Sequence, residues 1–126
     1  MKSILKSPSL SLKEALSSMS KSGEKCIVVV DKKGSLLGTL SDGDIRKSIL
    51  AGKNLDDSIE DIYQRNCVFL RENEYDESTA KEIFSSKRID LIPLINDKDI
   101  VIEIIYWEKF LGGRKEKSTS LDIPAV

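Results

Sequence analysis

The sequence predicts a mixed α+β fold made of two similar halves, each a small sheet of about three strands flanked by two helices. Three observations support this fold class. Amphipathic helical patterns alternate with short β-branched runs, the same order of patterns occurs twice, and matching residues keep a nearly constant spacing. In a chain of 126 residues each half alone is too small to bury its sheet, so we expect the halves to pack together.

The first half is predicted to begin with an apolar pair, Ile4-Leu5, followed by a helix. Ser11 and Glu14 have the spacing of a capping box, in which each side chain accepts a hydrogen bond from the other residue's backbone N–H. The apolar residues that follow recur with a helical period: Leu12, Ala15, Leu16 and Met19. Gly23 is expected to end this helix.

Two strands and a second helix are predicted next. Cys26 to Val30 is a continuous apolar run, typical of a strand that is covered on both faces. The chain turns over 31–34 and returns as a strand from Leu36 to Leu40. The second helix is expected to turn its apolar side chains inward and to stop near a glycine: Ile45, Ile49, Leu50 and Gly52.

The pattern begins again after a connector over 54–64, which is expected to contain a helical turn around Ser58 to Ile62. The second half is predicted to hold a strand, a helix and two further strands: Cys67–Leu70, Tyr75–Ser86, Leu91–Ile95 and Ile100–Tyr106. Pro93 lacks a backbone N–H, so it predicts an edge strand or the beginning of a strand.

Matching residues in the two halves lie 65 positions apart, as for Ala15 and Ala80 or Val30 and Ile95. We expect a one-residue deletion in the second turn to reduce the spacing to 64. On that alignment Gly38, Ser41 and Asp44 correspond to Ile102, Ile105 and Glu108.

Composition excludes several classes of function. Twenty basic residues balance 21 acidic ones, so there is no basic surplus that would favour nucleic acid. The absence of histidine removes the commonest general base and metal ligand. No apolar stretch is long enough to cross a bilayer, and a cytoplasmic protein is expected. Cys26 and Cys67 are interpreted as buried thiols, although a disulfide stays open.

The stretch from Gly38 to Asp44, Gly-Thr-Leu-Ser-Asp-Gly-Asp, leads from a strand into a helix. Ser41 and Asp42 are both good N-cap residues. Gly38 permits close backbone approach, and Gly43 leaves the start of the helix open. The corner presents a hydroxyl, two carboxylates and unpaired helix N–H groups, which suits a ribose and a phosphate. An ordinary capped junction without a ligand is the alternative.

Residues from Ile4 to about Phe110 resemble the tandem CBS domain pair, also called a Bateman module. The stretch 38–44 matches the ligand motif of that family, Gly-x-apolar-Ser/Thr-x-x-Asp, at each defined position. The resemblance implies one repeat over 1–60 and a second over 61–111. It implies a regulatory module without intrinsic catalysis or a cofactor, whose ligand is an adenine-type nucleotide such as AMP, ADP or ATP.

The resemblance also implies the roles of individual residues. The family's Ser/Thr binds a ligand phosphate and its Asp binds the ribose hydroxyls, which assigns these roles to Ser41 and Asp44. Ile4, Cys26 and Ile27 are expected to sandwich the base, and Arg46 to reach a phosphate. The complete predicted site is Ile4, Cys26, Ile27, Gly38, Thr39, Ser41, Asp42, Gly43, Asp44 and Arg46, with no catalytic or metal-binding residue. The second half lacks the motif, so its site is predicted to be blocked or much weakened.

The form Ser-Asp-Gly-Asp-Ile-Arg-Lys over 41–47 is similar to CBS pairs attached to sugar-nucleotide nucleotidyltransferases and to sugar-phosphate isomerases. Residues 122–126 resemble the approach to the first strand of a nucleotidyltransferase domain, so 112–126 is expected to be a linker to such a domain. Two alternatives stay open, namely the CBS pair of an isomerase and a ligand-free module. A homodimer through the helices is expected in either case. An enzyme is disfavoured because no nucleophile–base pair is visible.

Overall fold

The computed structural model of the protein describes residues 4–111, which contain three α-helices and two three-stranded sheets. The mixed α+β class predicted from the sequence is confirmed. The predicted linker over 112–126 lies outside the described residues. Within 4–111, no helix is both long and apolar enough to cross a membrane.

The first half contains three strands in the order β1-β2-β3 and two helices. Its elements are β1 (Leu5–Lys6), α1 (Leu12–Ser22), β2 (Cys26–Val30), β3 (Leu36–Ser41) and α2 (Asp42–Leu50). Strand β1 is parallel to β2, and β3 is antiparallel to it. The predicted capping box of α1 is present, and Gly23 ends the helix in a left-handed conformation with φ 78°.

The second half repeats this topology, with the strand order β4-β5-β6. Its elements are β4 (Leu70–Arg71), α3 (Glu77–Ser86), β5 (Leu91–Ile95) and β6 (Val101–Tyr106). Asp76 caps α3, since its Oδ1 accepts the Thr79 N–H at 2.7 Å. A 3₁₀ segment, Trp107–Leu111, follows β6 at the place where α2 follows β3.

Two predicted strands of the second half differ from the structure. Pro93 lies in the middle strand of its sheet, so the predicted edge position is wrong. The sheet tolerates the missing N–H because β4 pairs only with Leu94 and Ile95 and leaves the Pro93 position of β5 unpaired on that side. The strand predicted over 67–70 is reduced to Leu70–Arg71, the same length as β1 in the first half. In the connector, the Ile62 and Tyr63 N–H groups donate to the Ile59 carbonyl at 3.0 and 3.3 Å, which forms a single helical turn at the expected place.

The hairpin turns of the two halves have the same length, so the predicted deletion in the second turn is wrong. Asp31 Oδ1 accepts the backbone N–H two residues on, and Asn96 Oδ1 does the same, each at 2.9 Å. Gly34 has φ 90° and Asp99 has φ 68°. Because Asp99 adopts the left-handed conformation that Gly34 adopts, the spacing of 65 continues through β6.

The two turns also contact each other across a local pseudo-twofold axis. The Leu36 N–H donates to the Asp99 carbonyl at 2.9 Å, and the Val101 N–H donates to the Gly34 carbonyl at 3.0 Å. Each bond is the repeat equivalent of the other. The equivalence fixes which residues of the second half correspond to the candidate site.

The core has one cluster in each half and a third between the halves. The central cluster joins strands of both sheets, among them Ile4, Val28, Leu91, Ile95 and Ile104. This cluster confirms that the halves share a core, and about 25 cal/mol per Å² of apolar burial stabilises their association.

The helix and connector that flank the candidate site are packed differently from the prediction. On α2 only Ile45 is fully buried, whereas Ile49 and Leu50 are 37% and 87% exposed. The inward orientation predicted for these two side chains is therefore wrong. In the connector, Ile59 and Tyr63 pack in the core cluster of the first half.

Candidate functional site

Ser41, the last residue of β3, and Asp44, in the first turn of α2, lie together at the corner where the strand meets the helix. Ser41 is the N-cap of α2 and has an extended backbone with φ −99°. The Asp44 N–H donates to Ser41 Oγ at 3.1 Å, and the Ser41 N–H donates to Asp44 Oδ2 at 3.2 Å. This reciprocal capping box fixes the rotamers of the two residues predicted to bind the ligand. The ordinary capping function and the predicted site therefore occupy the same two side chains.

A cleft of about 220 Å³ opens beside this corner. Both halves line it: Cys26, Thr39, Ser41, Asp44, Gln64, Val68, Arg88, Ile89, Asp90 and Leu91. Four predicted site residues, Cys26, Thr39, Ser41 and Asp44, are thus brought together. The strand ends and the cap of the first half form one wall, and the segment before β5 forms the other.

The opposite wall, Arg88 to Asp90, was not found from the sequence. These residues lie between α3 and β5, and the Asp90 carbonyl accepts the Trp107 N–H at 3.1 Å, which fixes the segment to the end of β6. Gln64 and Val68 complete the cleft, and Gln64 Nε2 is 3.5 Å from Asp44 Oδ1. The internal repeat contains a signal for this wall, because Leu91, which follows Asp90, is the counterpart of Cys26 at a spacing of 65.

Gly38 is needed for a close approach within the chain rather than to a ligand. A Cβ atom at this position would be 2.1 Å from the Gln64 carbonyl oxygen and 2.6 Å from Tyr63 Cδ1. Thr39 and Gln64 exchange two backbone hydrogen bonds, of 3.1 and 2.7 Å. The absence of a side chain at Gly38 therefore lets the connector lie against β3 and place Gln64 at the cleft.

The other five predicted residues do not line the cleft. Asp42 and Arg46 form a salt bridge of 3.1 Å and border a different hollow. Ile4 and Ile27 are buried, at 3% and 1% exposure, in the central and first core clusters. Gly43 lies within the first turn of α2. Val68, rather than Ile4, supplies the apolar wall beside Cys26.

The cleft is an unfavourable environment for a thiolate. Burial raises the pKa of the Cys26 thiol to about 12, and the Asp90 and Asp44 carboxylates add to this effect. Cys26 is therefore a neutral thiol at physiological pH, and it presents a small, weakly polar surface to a bound molecule. Burial also raises the pKa of Cys67, and both cysteines are free.

The equivalent corner of the second half is chemically different. The paired strands align Cys26 with Ser41 in one hairpin and Leu91 with Tyr106 in the other. The equivalents of Gly38, Ser41 and Asp44 are therefore Glu103, Tyr106 and Lys109, not Ile102, Ile105 and Glu108. A phenol replaces the capping hydroxyl and an ammonium replaces the carboxylate, so the ligand motif is absent on this alignment as well. That this second site is blocked or much weakened stays a prediction.

Residues 6–51 match the family model described as the CBS domain. An uncharacterised protein of Helicobacter pylori is 26% identical over 82% of the chain, and the L-aspartate semialdehyde sulfurtransferase of Methanocaldococcus jannaschii is 28% identical over 84%. The chain spans 32% and 21% of the length of these relatives.

Solved structures share the fold over 87–90% of the chain. A CBS domain pair/ACT domain protein of Thermotoga maritima has a TM-score of 0.72 at 19% identity, covering 90% of this chain and 88% of its own. CBSX2 in complex with AMP has a TM-score of 0.74 at 17% identity, with coverage of 90% and 88%. The cytosolic domain of the Mg²⁺ channel MgtE in complex with ATP has a TM-score of 0.71 at 17% identity, with coverage of 87% and 44%. Together with the family match, these structures support a CBS domain pair.

Proposed function

We propose that this CBS domain pair is a regulatory module that binds one adenine-type nucleotide, such as AMP, in the cleft between its halves. The observation that carries the proposal is the arrangement of Ser41 and Asp44, which hold each other in a capping box at the edge of a cleft lined by both halves.

The corner offers the two kinds of contact that a nucleotide requires. The Ser41 hydroxyl accepts the Asp44 N–H and retains its own proton to donate to a phosphate oxygen. The positive end of the α2 dipole lies at the same point. Asp44 is the acceptor for the ribose hydroxyls, and Cys26, Val68 and Leu91 provide apolar surface for the base.

The comparisons support a nucleotide as the ligand class. AMP is named as the ligand of CBSX2, and ATP as the ligand of MgtE. Both proteins have the fold of this chain and are distant in sequence. The choice of AMP among adenine nucleotides belongs to the proposal.

Regulation would follow from the position of the cleft between two halves. A ligand in contact with both Asp44 and Arg88 binds most tightly to one relative arrangement of the halves, and it shifts the population toward that arrangement. We further propose that the responding partner is an attached sugar-nucleotide nucleotidyltransferase domain, on the basis of residues 122–126. The repeat boundary near residue 60 and a cytoplasmic location stay predictions.

Calorimetric titration of the 126-residue chain with AMP tests the site. We expect saturable binding of one nucleotide per chain, and loss of that binding in Asp44→Asn, which keeps an oxygen acceptor for the cap but removes the charge. Asp42→Asn is the matched control, because Asp42 belongs to the same helix start and does not line the cleft. Unchanged affinity in Asp44→Asn would move the site elsewhere.

A second role, dimerisation, is favoured by the end of α2. Ile49 and Leu50 are exposed, whereas Met19 is buried and Phe84 is half-buried, so among the three described α-helices the large exposed apolar side chains lie on α2. Sedimentation equilibrium of the chain and of Leu50→Glu tests this role. A dimer that the substitution dissociates supports it, and a monomer in both cases contradicts it.

A further inference from the structure

Negatively charged side chains outnumber positively charged ones in the lining of the cleft. Among the described residues that line it, Arg88 is the only cation, and Asp44 and Asp90 are the anions. The cation and one of the anions come from the same short segment before β5. A ligand that carries negative charge therefore meets a single guanidinium with a carboxylate two residues away.

Further carboxylates lie beyond Asp90. The Trp107 N–H donates to the Asp90 carbonyl at 3.1 Å, so Asp90 lies beside the segment that carries Glu108. Burial raises the pKa of Glu24, and the carboxylates of Glu108 and Asp90 raise it further. The negative region around Asp90 therefore continues toward the end of β6.

The neighbouring cations are directed to other surfaces. Lys25 and Arg46 border the hollow beside α1, and Arg46 is paired with Asp42. Lys87 borders the hollow on the far side of Arg88, and the Lys109 ammonium lies 5.9 Å from the centre of the Tyr75 ring. None of these four side chains lines the cleft.

The small size of the cleft, like its charge, favours a ligand with few phosphates. Its volume of about 220 Å³ is below the usual range of roughly 300–1,000 Å³ for small-molecule sites. Tyr106 occupies the position that Ser41 has in the first half, so the pseudo-symmetric side offers no second cap for additional phosphates.

We infer that Arg88 and Asp90 are specificity-determining residues, which restrict the cleft to adenine nucleosides with one phosphate and reject di- and triphosphates. This inference rests on the proposed function, because it assumes that the cleft binds a nucleotide. Arg88 supplies the counter-charge for the first phosphate. Each additional phosphate adds negative charge to a cleft whose lining already holds the carboxylates of Asp44 and Asp90, and these like charges repel.

The test compares the dissociation constants of adenosine, AMP, ADP and ATP for the 126-residue chain by calorimetry, without divalent cations. We expect AMP to bind roughly tenfold more tightly than adenosine and at least roughly tenfold more tightly than ATP. Arg88→Gln should remove the advantage of AMP over adenosine. Asp90→Asn should strengthen ATP binding by roughly tenfold and leave adenosine unchanged. Both residues are exposed, so the variants are expected to fold.

Lys87→Gln and Asp42→Asn serve as controls, because each removes a charge of the same sign from a residue that does not line the cleft. ATP binding as tight as AMP, with no effect of Asp90→Asn, would overturn the inference and leave the proposed nucleotide site intact. Absence of binding by all four compounds would overturn both. An equal response of Lys87→Gln and Arg88→Gln would show a general charge effect and would also overturn the assignment of Arg88.

Discussion

Gly34 and Asp99 occupy the same position in the two hairpin turns, and both have a positive φ, of 90° and 68° respectively. Glycine adopts this conformation without strain, whereas a residue with a Cβ atom is disfavoured in it by roughly 1–2 kcal/mol. Aspartate is one of the few residues that tolerate it, because its short side chain can form local hydrogen bonds. The second turn therefore keeps the length of the first without a glycine.

Substitution of Asp99 should separate backbone strain from ion pairing. We expect Asp99→Ala to lower the free energy of unfolding by about 1 kcal/mol relative to Asp99→Gly, because only alanine keeps a Cβ atom in the left-handed region. The salt bridge from Arg71 to Asp99, at 2.9 Å, joins partly exposed side chains and contributes little. Urea unfolding of both variants measures the difference. Equal losses would show that the ion pair, rather than φ, determines the stability of this turn.

This turn also explains why the alignment of the two halves predicted from the sequence is shifted by one residue in β6. The first turn contains a glycine at its left-handed position and the second turn does not, so residue types alone do not show that the two turns are equivalent. Backbone conformation at Asp99 is not evident from residue type alone. The consequence was that Ile102, Ile105 and Glu108 were aligned with the motif instead of Glu103, Tyr106 and Lys109.

The candidate site was predictable only where it depends on local sequence. The capping box of Ser41 and Asp44 is a pattern of four consecutive residues, and the structure contains it. Arg88 and Asp90 approach that corner only through the packing of the two halves, which no local pattern encodes. The exposure of Leu50 was missed for a related reason, since helical periodicity does not specify which face another element covers.

Two glycines in the motif should respond in opposite directions to alanine. Gly38→Ala places a Cβ atom 2.1 Å from the Gln64 carbonyl oxygen, so we expect a loss of about 1–3 kcal/mol in the free energy of unfolding. At Gly43, which is helical, an added Cβ atom would have Ser41 Oγ as its nearest neighbour, at 3.8 Å. Gly43→Ala should therefore stabilise the chain by about 0.4–1 kcal/mol, by reducing the entropy of the unfolded state.

Urea unfolding of the two glycine variants at one protein concentration measures both changes. Gly38→Ala should also weaken AMP binding, because displacement of the connector moves Gln64 away from the cleft. A Gly38→Ala variant as stable as the parent chain would contradict the close packing of the connector on β3.

Cys26 should react slowly with alkylating reagents. The pKa of its thiol is about 12, so very little thiolate exists at pH 8. In a Cys67→Ser variant, which isolates Cys26, we expect iodoacetamide to react at least about a hundredfold more slowly than with an unstructured cysteine peptide. Saturation with AMP should slow the reaction further if the nucleotide covers the thiol. Mass spectrometry measures the rate, and a rate equal to that of the peptide would contradict the burial of Cys26.

Asp76 should make the stability of α3 dependent on pH. The Thr79 N–H that donates to its carboxylate holds the pKa of Asp76 below its usual value. A lowered pKa in the folded state stabilises the protein above the unfolded pKa of about 3.9, and this contribution is lost as the pH falls through the lower folded value. Asp76→Ala should therefore be less stable than the parent chain at pH 7, and the difference should shrink below about pH 4. Asp76→Asn, which retains an acceptor oxygen without titrating, is the matched control. Urea unfolding midpoints at pH 7, 5 and 3 give the comparison, and a difference that stays constant over this range would show that the charge of Asp76 does not stabilise the helix.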